Sequence, residues 1–390
     1  MTRNALFTLI LLSSSATLLA AEPQNGSGET DGYILVWQDL FDKGQLNRDR
    51  WNIEVNGDGG GNAELQYYCE EGISVGDDGR GNGCLILTAR REEKNGRHFT
   101  SGRVNSKDNV AFLHGKVEAS IKLPSTADGL WPAFWMMGND YDLVGWPRCG
   151  ETDILEMGNA NGIKAGTQDR YFNGAMHWGQ GWPAGSYAKD CTKNYSLQDG
   201  EFHLFTAVWD ENEMRMYVDL DKQPQQVPYF RMTIPQDDPD NEWSPGNYFH
   251  KENFILFNLA IGGNFPGIHN ADGITALHDD NGHSASMYVN YVKIYQKQDG
   301  SVENFFAPDD GDEQSGTVSI SADNVLKITV LRSEVRFSSE ASYTLCDLSG
   351  RTVAQGRGTA LGTANLPAGV YMLRAAGTNN ETPSSIKIRL

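Results

Sequence analysis

The stretch Gly150–Asn159, read as GETDILEMGN, places three carboxylates within six residues and interleaves them with apolar and β-branched side chains. Few local structures accept that pattern. In a strand, side chains alternate between faces, so Glu151 and Asp153 point the same way. Glu156 lies an odd number of residues past Glu151 and would fall on the opposite face. One extra residue, a β-bulge at Ile154-Leu155, returns it to the first face. A helix does not: five residues turn about 500°, which leaves Glu151 and Glu156 roughly 140° apart. The expectation is a bulged strand with Glu151, Asp153 and Glu156 in one row. A solvated acidic edge strand would also tolerate three carboxylates, but Ile154, Leu155 and Met157 read as buried.

Like charges this close disfavour joint ionisation. The arrangement suits hydrolysis of a glycosidic bond with retained configuration. There one carboxylate attacks the anomeric carbon, and a second, about 5–5.5 Å away, protonates the leaving oxygen and then activates water. A carboxyl between them can raise the acid's pKa and share a proton with the nucleophile.

Glu-x-Asp-x-x-Glu resembles the active-site signature of glycoside hydrolase family 16, in the bulged form of laminarinases and many bacterial β-glucanases. Carried over by position, the resemblance implies Glu151 as nucleophile, Asp153 as assisting carboxyl and Glu156 as acid/base. Other stretches are similar to the family too. In GNAELQYY (61–68), Asn62, Glu64 and Gln66 share a face if the chain is extended, and the resemblance brings Asn62 to the cleft. Thr100-Ser101-Gly102-Arg103 matches a Thr-Ser-x-Arg pattern and implies that Arg103 hydrogen-bonds sugar hydroxyls or the nucleophile; a lone Arg is otherwise a surface charge. GLWPAFW (129–135) implies that Trp131 and Trp135 border the cleft, although their spacing alone reads as helix or core. Trp146 is a third candidate platform, and two of these three are expected to contact glucan. Aromatic faces stack on the apolar C–H faces of pyranose rings and supply large contact areas. His177-Trp178 resembles a His-Trp pair on the neighbouring strand. His177 then hydrogen-bonds substrate or tunes Glu156; a satisfied core histidine is the competing reading.

The chain has 390 residues, enough for one large β domain and a small second one. Its 43 glycines, 9 tryptophans and 15 tyrosines suit a turn-rich, aromatic-lined all-β protein. The net charge of −19 argues against nucleic acid or anionic lipid as partners and against sulfated polysaccharides, while a neutral glucan is indifferent to it. Residues 1–21 read as a signal peptide, with Arg3, an apolar run over 5–12, and Ala20-Ala21. Ser13-Ser14-Ser15 interrupts a run already short for a membrane span. Export permits disulfides, and Cys69 with Cys84 and Cys149 with Cys191 are plausible pairs among several, leaving Cys346 odd. No Cys-x-x-Cys or Cys/His cluster suggests a metal site.

The resemblance implies an all-β jelly-roll sandwich of the concanavalin-like kind over residues 33–298. Its activity would be that of a secreted endo-β-glucanase, monomeric, acting on β-1,3-glucan or, as alternatives, mixed-linkage β-1,3-1,4-glucan, or of a glucan-binding protein without catalysis. No cofactor is required. The family's structural calcium is implied through backbone carbonyls and an Asp on the last strand. Here Asn290 takes that position, and Leu40 replaces an acidic residue near the first strand. Phe265 stands where many laminarinases carry Trp. An acidic linker follows (299–316), then a small β domain (317–390) whose LCDLSGRTVAQG, LPAGVYMLRA and KIRL segments resemble a type IX secretion sorting domain. That would engage outer-membrane secretion machinery; an ordinary immunoglobulin-like accessory module is the alternative.

Overall fold

The computed structural model describes residues 32–81, 83–278, 282–297, 305–306, 317–318, 328–330, 334–347, 350–363, 365–367, 370–377 and 384–389. The signal segment 1–21 lies outside them. Two antiparallel sheets pack face to face, with one parallel pair, Gln66–Tyr68 against Phe99–Ser101. The site-bearing sheet runs, in spatial order, Gly185–Thr192, Tyr171–Trp178, Glu151–Met157, Leu130–Gly138, Asn253–Ile261, Arg103–Asn105 and Asn52–Ile53. The outer sheet is built around Gly83–Lys94, Gly115–Lys122, His203–Trp209 and Ser284–Lys297.

Period-two alternation sorts each strand. Gly115–Lys122 turns Val117, Ala119 and Ile121 to the core, as expected from its pattern. Leu130–Gly138 sends Leu130, Phe134 and Met136 to the same core and leaves Trp131, Ala133, Trp135 and Met137 on the other face. The two tryptophans four apart are therefore strand neighbours on one face, not a helical pair. Ile154, Leu155, Phe172 and Phe257 meet Leu85, Phe205 and Ile294 across the sandwich, each wholly buried. Burying one such side chain contributes about 1.5–3 kcal/mol.

The expectation of a linker over 299–316 needs correction. The residue range read as a linker contains Phe305–Phe306, which pairs with Ala111–Phe112 and adds a strand to the site-bearing sheet; its other residues lie outside those described. Further on, Glu334–Asp347, Thr352–Gly362 and Val370–Gly377 belong to a third sheet with its own core around Val335, Leu345 and Leu373.

The expected disulfides do not form; all five cysteines are thiols. Register explains why. Cys149 precedes Glu151 at one end of its strand, whereas Cys191 pairs with Phe172, the partner of Met157 at the other end. That is about 25 Å of strand, and a bridge needs Cα atoms within about 7 Å. The Cys69 backbone N–H donates to the Ser101 carbonyl, beside the Thr100–Arg90 pair, while Cys84 is the second residue of the strand that holds Arg90, six residues before it. Burial pushes the thiols of Cys84 and Cys149 up to about 12, so both are held as inert thiols.

Candidate active site

The bulge is present where the carboxylate spacing required it. On one side, Glu151, Asp153 and Glu156 pair with Met137, Trp135 and Ala133. On the other they pair with His177, Ala175 and Asn173. Both partner sets step by two residues along unbroken strands, so each occupies one face, and the three carboxylates share it. The extra residue falls at Ile154-Leu155. Its displaced carbonyl, that of Ile154, accepts a hydrogen bond from the Tyr229 hydroxyl. Opposite the bulge stands Gly174, where a Cβ would lie 2.8 Å from Met216 Sδ and 3.0 Å from Tyr229 Cε2. Tyr229 and Gly174 thus stabilise the irregularity.

Glu156 is held by two strand-borne donors. Trp131 Nε1 donates to Oε1 at 3.1 Å, and Asn173 Nδ2 donates to Oε2 at 3.0 Å. Burial pushes its pKa up to about 7 against the pull of Asn173 and Trp131. Glu151 is also pushed up to about 7, by burial and then by the charge of Glu156, while Arg103 and a hydrogen bond from Trp146 draw it down. Between them Asp153 is 5% exposed, and burial with the two glutamate charges raises its carboxyl well above the usual range. Its Oδ2 is buried without a hydrogen-bond donor and lies 3.5 Å from His177 Nε2. These are the conditions for a neutral Asp153 that shares its proton with a neighbour.

His177 faces Glu151 and Asp153, not Glu156, because the register sets it opposite Glu151. The role of tuning Glu156 falls to Asn173, which the sequence reading missed. Burial lowers the pKa of His177 and keeps the imidazole neutral. One atom each of Glu151, Asp153 and His177 lie within 4.8 Å of one another. That mixed oxygen–nitrogen set could hold a zinc or copper ion, but it would do so on the carboxylates needed for chemistry.

Arg103 lies on the strand beside Asn258 and pairs with Glu54 at 3.0 Å. Its guanidinium covers the Trp135 ring at 4.8 Å, which occupies one face of that expected platform. Trp135 Nε1 donates to Asn258 Oδ1 at 2.7 Å, and Asn258 Nδ2 to the Tyr68 hydroxyl at 3.3 Å. Tyr68 and Gln66 in turn donate to Glu64 Oε2 at 3.2 and 2.5 Å. The stretch before Gln66 is not extended as expected. Gly59, Gly60, Gly61 and Ala63 all have positive φ, so the chain turns, and only Gln66–Tyr68 forms a strand. Asn62 reaches Glu64 from that turn instead of sharing a strand face with it.

Trp131 is 8% exposed and stacks on Phe265 at 4.6 Å and 14°. Trp146, by contrast, is 39% exposed and lies 6.1 Å from Trp182, which is 84% exposed.

The residues at the implied calcium site do not fit a calcium ion. Calcium takes six to eight oxygens, preferably charged. Asn290 instead directs its amide N–H to the Gly83 carbonyl at 2.8 Å, presenting a donor where a calcium ligand would present an oxygen. Leu40 offers no oxygen from its side chain.

Comparison with known proteins agrees with this geometry. The family model "Glycosyl hydrolases family 16" matches residues 66–239. Glucan endo-1,3-beta-glucosidase A1 of Niallia circulans is 31% identical over 68% of this chain, but the match spans only 38% of that protein, as it spans 34% of another curated relative. Beta-glucanase of Rhodothermus marinus is 30% identical over 76% of this chain and 95% of its own length. A solved Bacteroides ovatus structure, a mixed linkage glucan GH16 in complex with G4G4G3G product, is 39% identical, with TM-score 0.58, over 67% of this chain and all (100%) of that one. With a sandwich of the same kind and a bulged carboxylate strand at its centre, the chain belongs to glycoside hydrolase family 16.

Proposed function

We propose that this protein is a retaining endo-β-glucanase that hydrolyses β-1,3-glucan. The observation that carries the reading is the common face of Glu151, Asp153 and Glu156, restored by the Ile154-Leu155 bulge. Glu151 attacks the anomeric carbon while Glu156, protonated, gives its proton to the departing glycosidic oxygen. Glu156, now a carboxylate, takes a proton from water, whose oxygen displaces Glu151 and restores both groups. Asp153 shares its proton with Glu151 before attack, which limits the repulsion within the row. Arg103 counters the burial of Glu151 and favours its ionised form. Names of relatives that are endo-1,3-beta-glucosidases support the linkage.

Mixed-linkage β-1,3-1,4-glucan is a second reading, favoured by the identity to the Bacteroides ovatus enzyme in complex with G4G4G3G product. A product profile on laminarin, lichenan, agarose and xyloglucan tests both, with Glu151→Gln as control. Oligosaccharides from laminarin support the first reading; release from lichenan alone supports the second. No release from either glucan overturns both. The signal-like residues 1–21 and the C-terminal motifs support export as part of the proposal.

A further inference from the structure

His203–Trp209 and Glu213–Val218 pair as a hairpin in the outer sheet, so the first residue of one strand lies beside the turn that follows the other. His203 stands there, 3% exposed, between two carboxylates. Its Nδ1 lies 2.8 Å from Asp219 Oδ2, and its Nε2 lies 3.2 Å from Asp199 Oδ1. Asp219 also accepts from the Tyr195 hydroxyl at 2.9 Å, from Lys222 Nζ at 3.1 Å and from the Leu204 backbone N–H at 3.2 Å. The groups that face the ring are thus Asp199 and Tyr195 from the segment leading into the strand, and Asp219 and Lys222 from the turn. The adjoining strand Gly115–Lys122 sets Ile121 opposite His203.

A carboxylate only accepts, so two ring nitrogens aimed at two carboxylates require two N–H groups. A neutral imidazole has one, and would turn a lone pair on a carboxylate at the other. Burial lowers the pKa of His203, but the hydrogen bond and charge of Asp219, and then Asp199, raise it above its ordinary value of 6.5. Burial also opposes the ionisation of Asp219, yet the hydrogen bond and charge of His203, with Lys222 and Tyr195, bring its pKa down to about 2. The charges balance, Asp199 and Asp219 against His203 and Lys222. Loss of the His203 proton leaves one negative charge uncompensated in a buried place. The segment tied down here lies behind the site. Leu197 is wholly buried in the core, and its N–H donates to the Asp169 carbonyl at 2.8 Å. Gln198 Nε2 donates to Thr126 Oγ1 and to the Gln168 carbonyl, both at 2.9 Å, and lies 3.9 Å from Met157 Sδ. Met157 follows Glu156 at the end of the carboxylate strand.

We propose that His203, clasped by Asp199 and Asp219, is a pH-sensitive latch that holds residues 195–203 against the Glu156 end of the carboxylate strand and releases them as it loses its proton. The latch is independent of the glucanase reading. A histidine whose pKa is raised by folding stabilises the fold fully below its unfolded pKa, here near 6.5, and that contribution is lost as pH rises through the folded value. Asp219, depressed from 3.8 to about 2, stabilises above the first value and ceases to as pH falls through the second. The latch therefore holds from about pH 4 up to the folded pKa of His203, and opens in alkali.

The test is NMR of the full chain with nitrogen-labelled histidine, the His203 signal being the one altered in Asp199→Asn and lost in His203→Gln. The ring should titrate with a midpoint above 6.5; a midpoint at or below that value overturns the proposal. Asp199→Asn, at a side chain 44% exposed, should lower the midpoint by about half a pH unit, and an unmoved midpoint also overturns it. This variant keeps the test open if His203→Gln fails to fold. Where His203→Gln folds, wild type should melt above it, and the gap should shrink by about 3 °C between pH 6 and pH 9. Comparing the two chains cancels the titration of the carboxylate row. A gap that is constant with pH makes His203 a packing residue and overturns the latch. Hydrogen exchange locates the release. After correction for intrinsic rates, the Leu197 and Leu204 amides should lose about tenfold more protection than that of Phe257 over the same pH range. Equal loss at all three overturns the latch.

Discussion

Glu156 and Glu151 end the same row, carry similarly raised pKa values and are held in opposite ways. Glu156 is gripped by two neutral donors, Trp131 and Asn173, from the regular strands on either side. Glu151 meets a loop-borne indole and the charge of Arg103. Neutral donors fix the position of a group and leave it free to gain and lose a proton. A nearby cation favours one charge state. The first environment suits an acid/base, the second a nucleophile that must be ionised when substrate arrives.

The largest effect should come from exchanging the ends. Glu151→Gln and Glu156→Gln each lose about three or more orders of magnitude in turnover on laminarin. With an activated aryl β-glucoside of a laminari-oligosaccharide, azide should then distinguish them: Glu156→Gln yields the β-glycosyl azide through a glycosyl-enzyme, and Glu151→Gln yields the α-azide by direct attack. The reverse pairing would exchange the assigned roles.

Arg103→Met comes next. Without the cation, the pKa of Glu151 rises further, so more of it is protonated at a given pH. The acidic limb of kcat/KM should move up by about one pH unit. Glu54 also loses its half-buried partner but keeps the hydrogen bond from Asn105, so stability falls by about 1 kcal/mol, visible in the melting temperature. An unmoved acidic limb would mean that Arg103 is purely structural.

Asn173→Ala should move the other limb. Losing a donor to the carboxylate raises the pKa of Glu156, so the basic limb shifts upward, by less than about one unit. If Asn173→Ala moves the acidic limb and Arg103→Met the basic one, the contrast between the two ends fails.

The smallest effect is on stability. Glu151 has a folded pKa of about 7, raised from its ordinary value of 4.5. A raised carboxyl favours the fold below its unfolded pKa, and that contribution is lost as pH rises through the folded value. Removing the ionisation in Glu151→Gln should therefore raise the melting temperature relative to wild type at pH 8 and not at pH 4. Equal differences at both pH values would show that Glu151 ionises without strain.

The carboxylate row was legible because its spacing allows one local solution. Trp131 and Arg103 were legible through short motifs beside it. The partners that make the site work were not. Asn173, Asn258 and Tyr229 carry no charge pattern and come from other strands, so only register brings them in. The glycine run 59–61 did signal the turn that takes Asn62 out of a strand, and Gly-rich positive-φ chemistry should have outweighed the alternation of Asn62, Glu64 and Gln66. The disulfide pairing failed for a related reason. Sequence distance says nothing about which end of a strand a cysteine occupies.

The central claim, that one bulged strand turns two glutamates on each other across Asp153, is tested most directly by the anomeric form of the first product. Four residue steps separate the partners of Glu151 and Glu156, about 13 Å of strand, and a retaining pair requires the two side chains to lean inward to about 5–5.5 Å. Proton NMR of laminarin hydrolysis, read before mutarotation, should show the β-anomer at the new reducing end. An α-anomer appearing first would contradict the account.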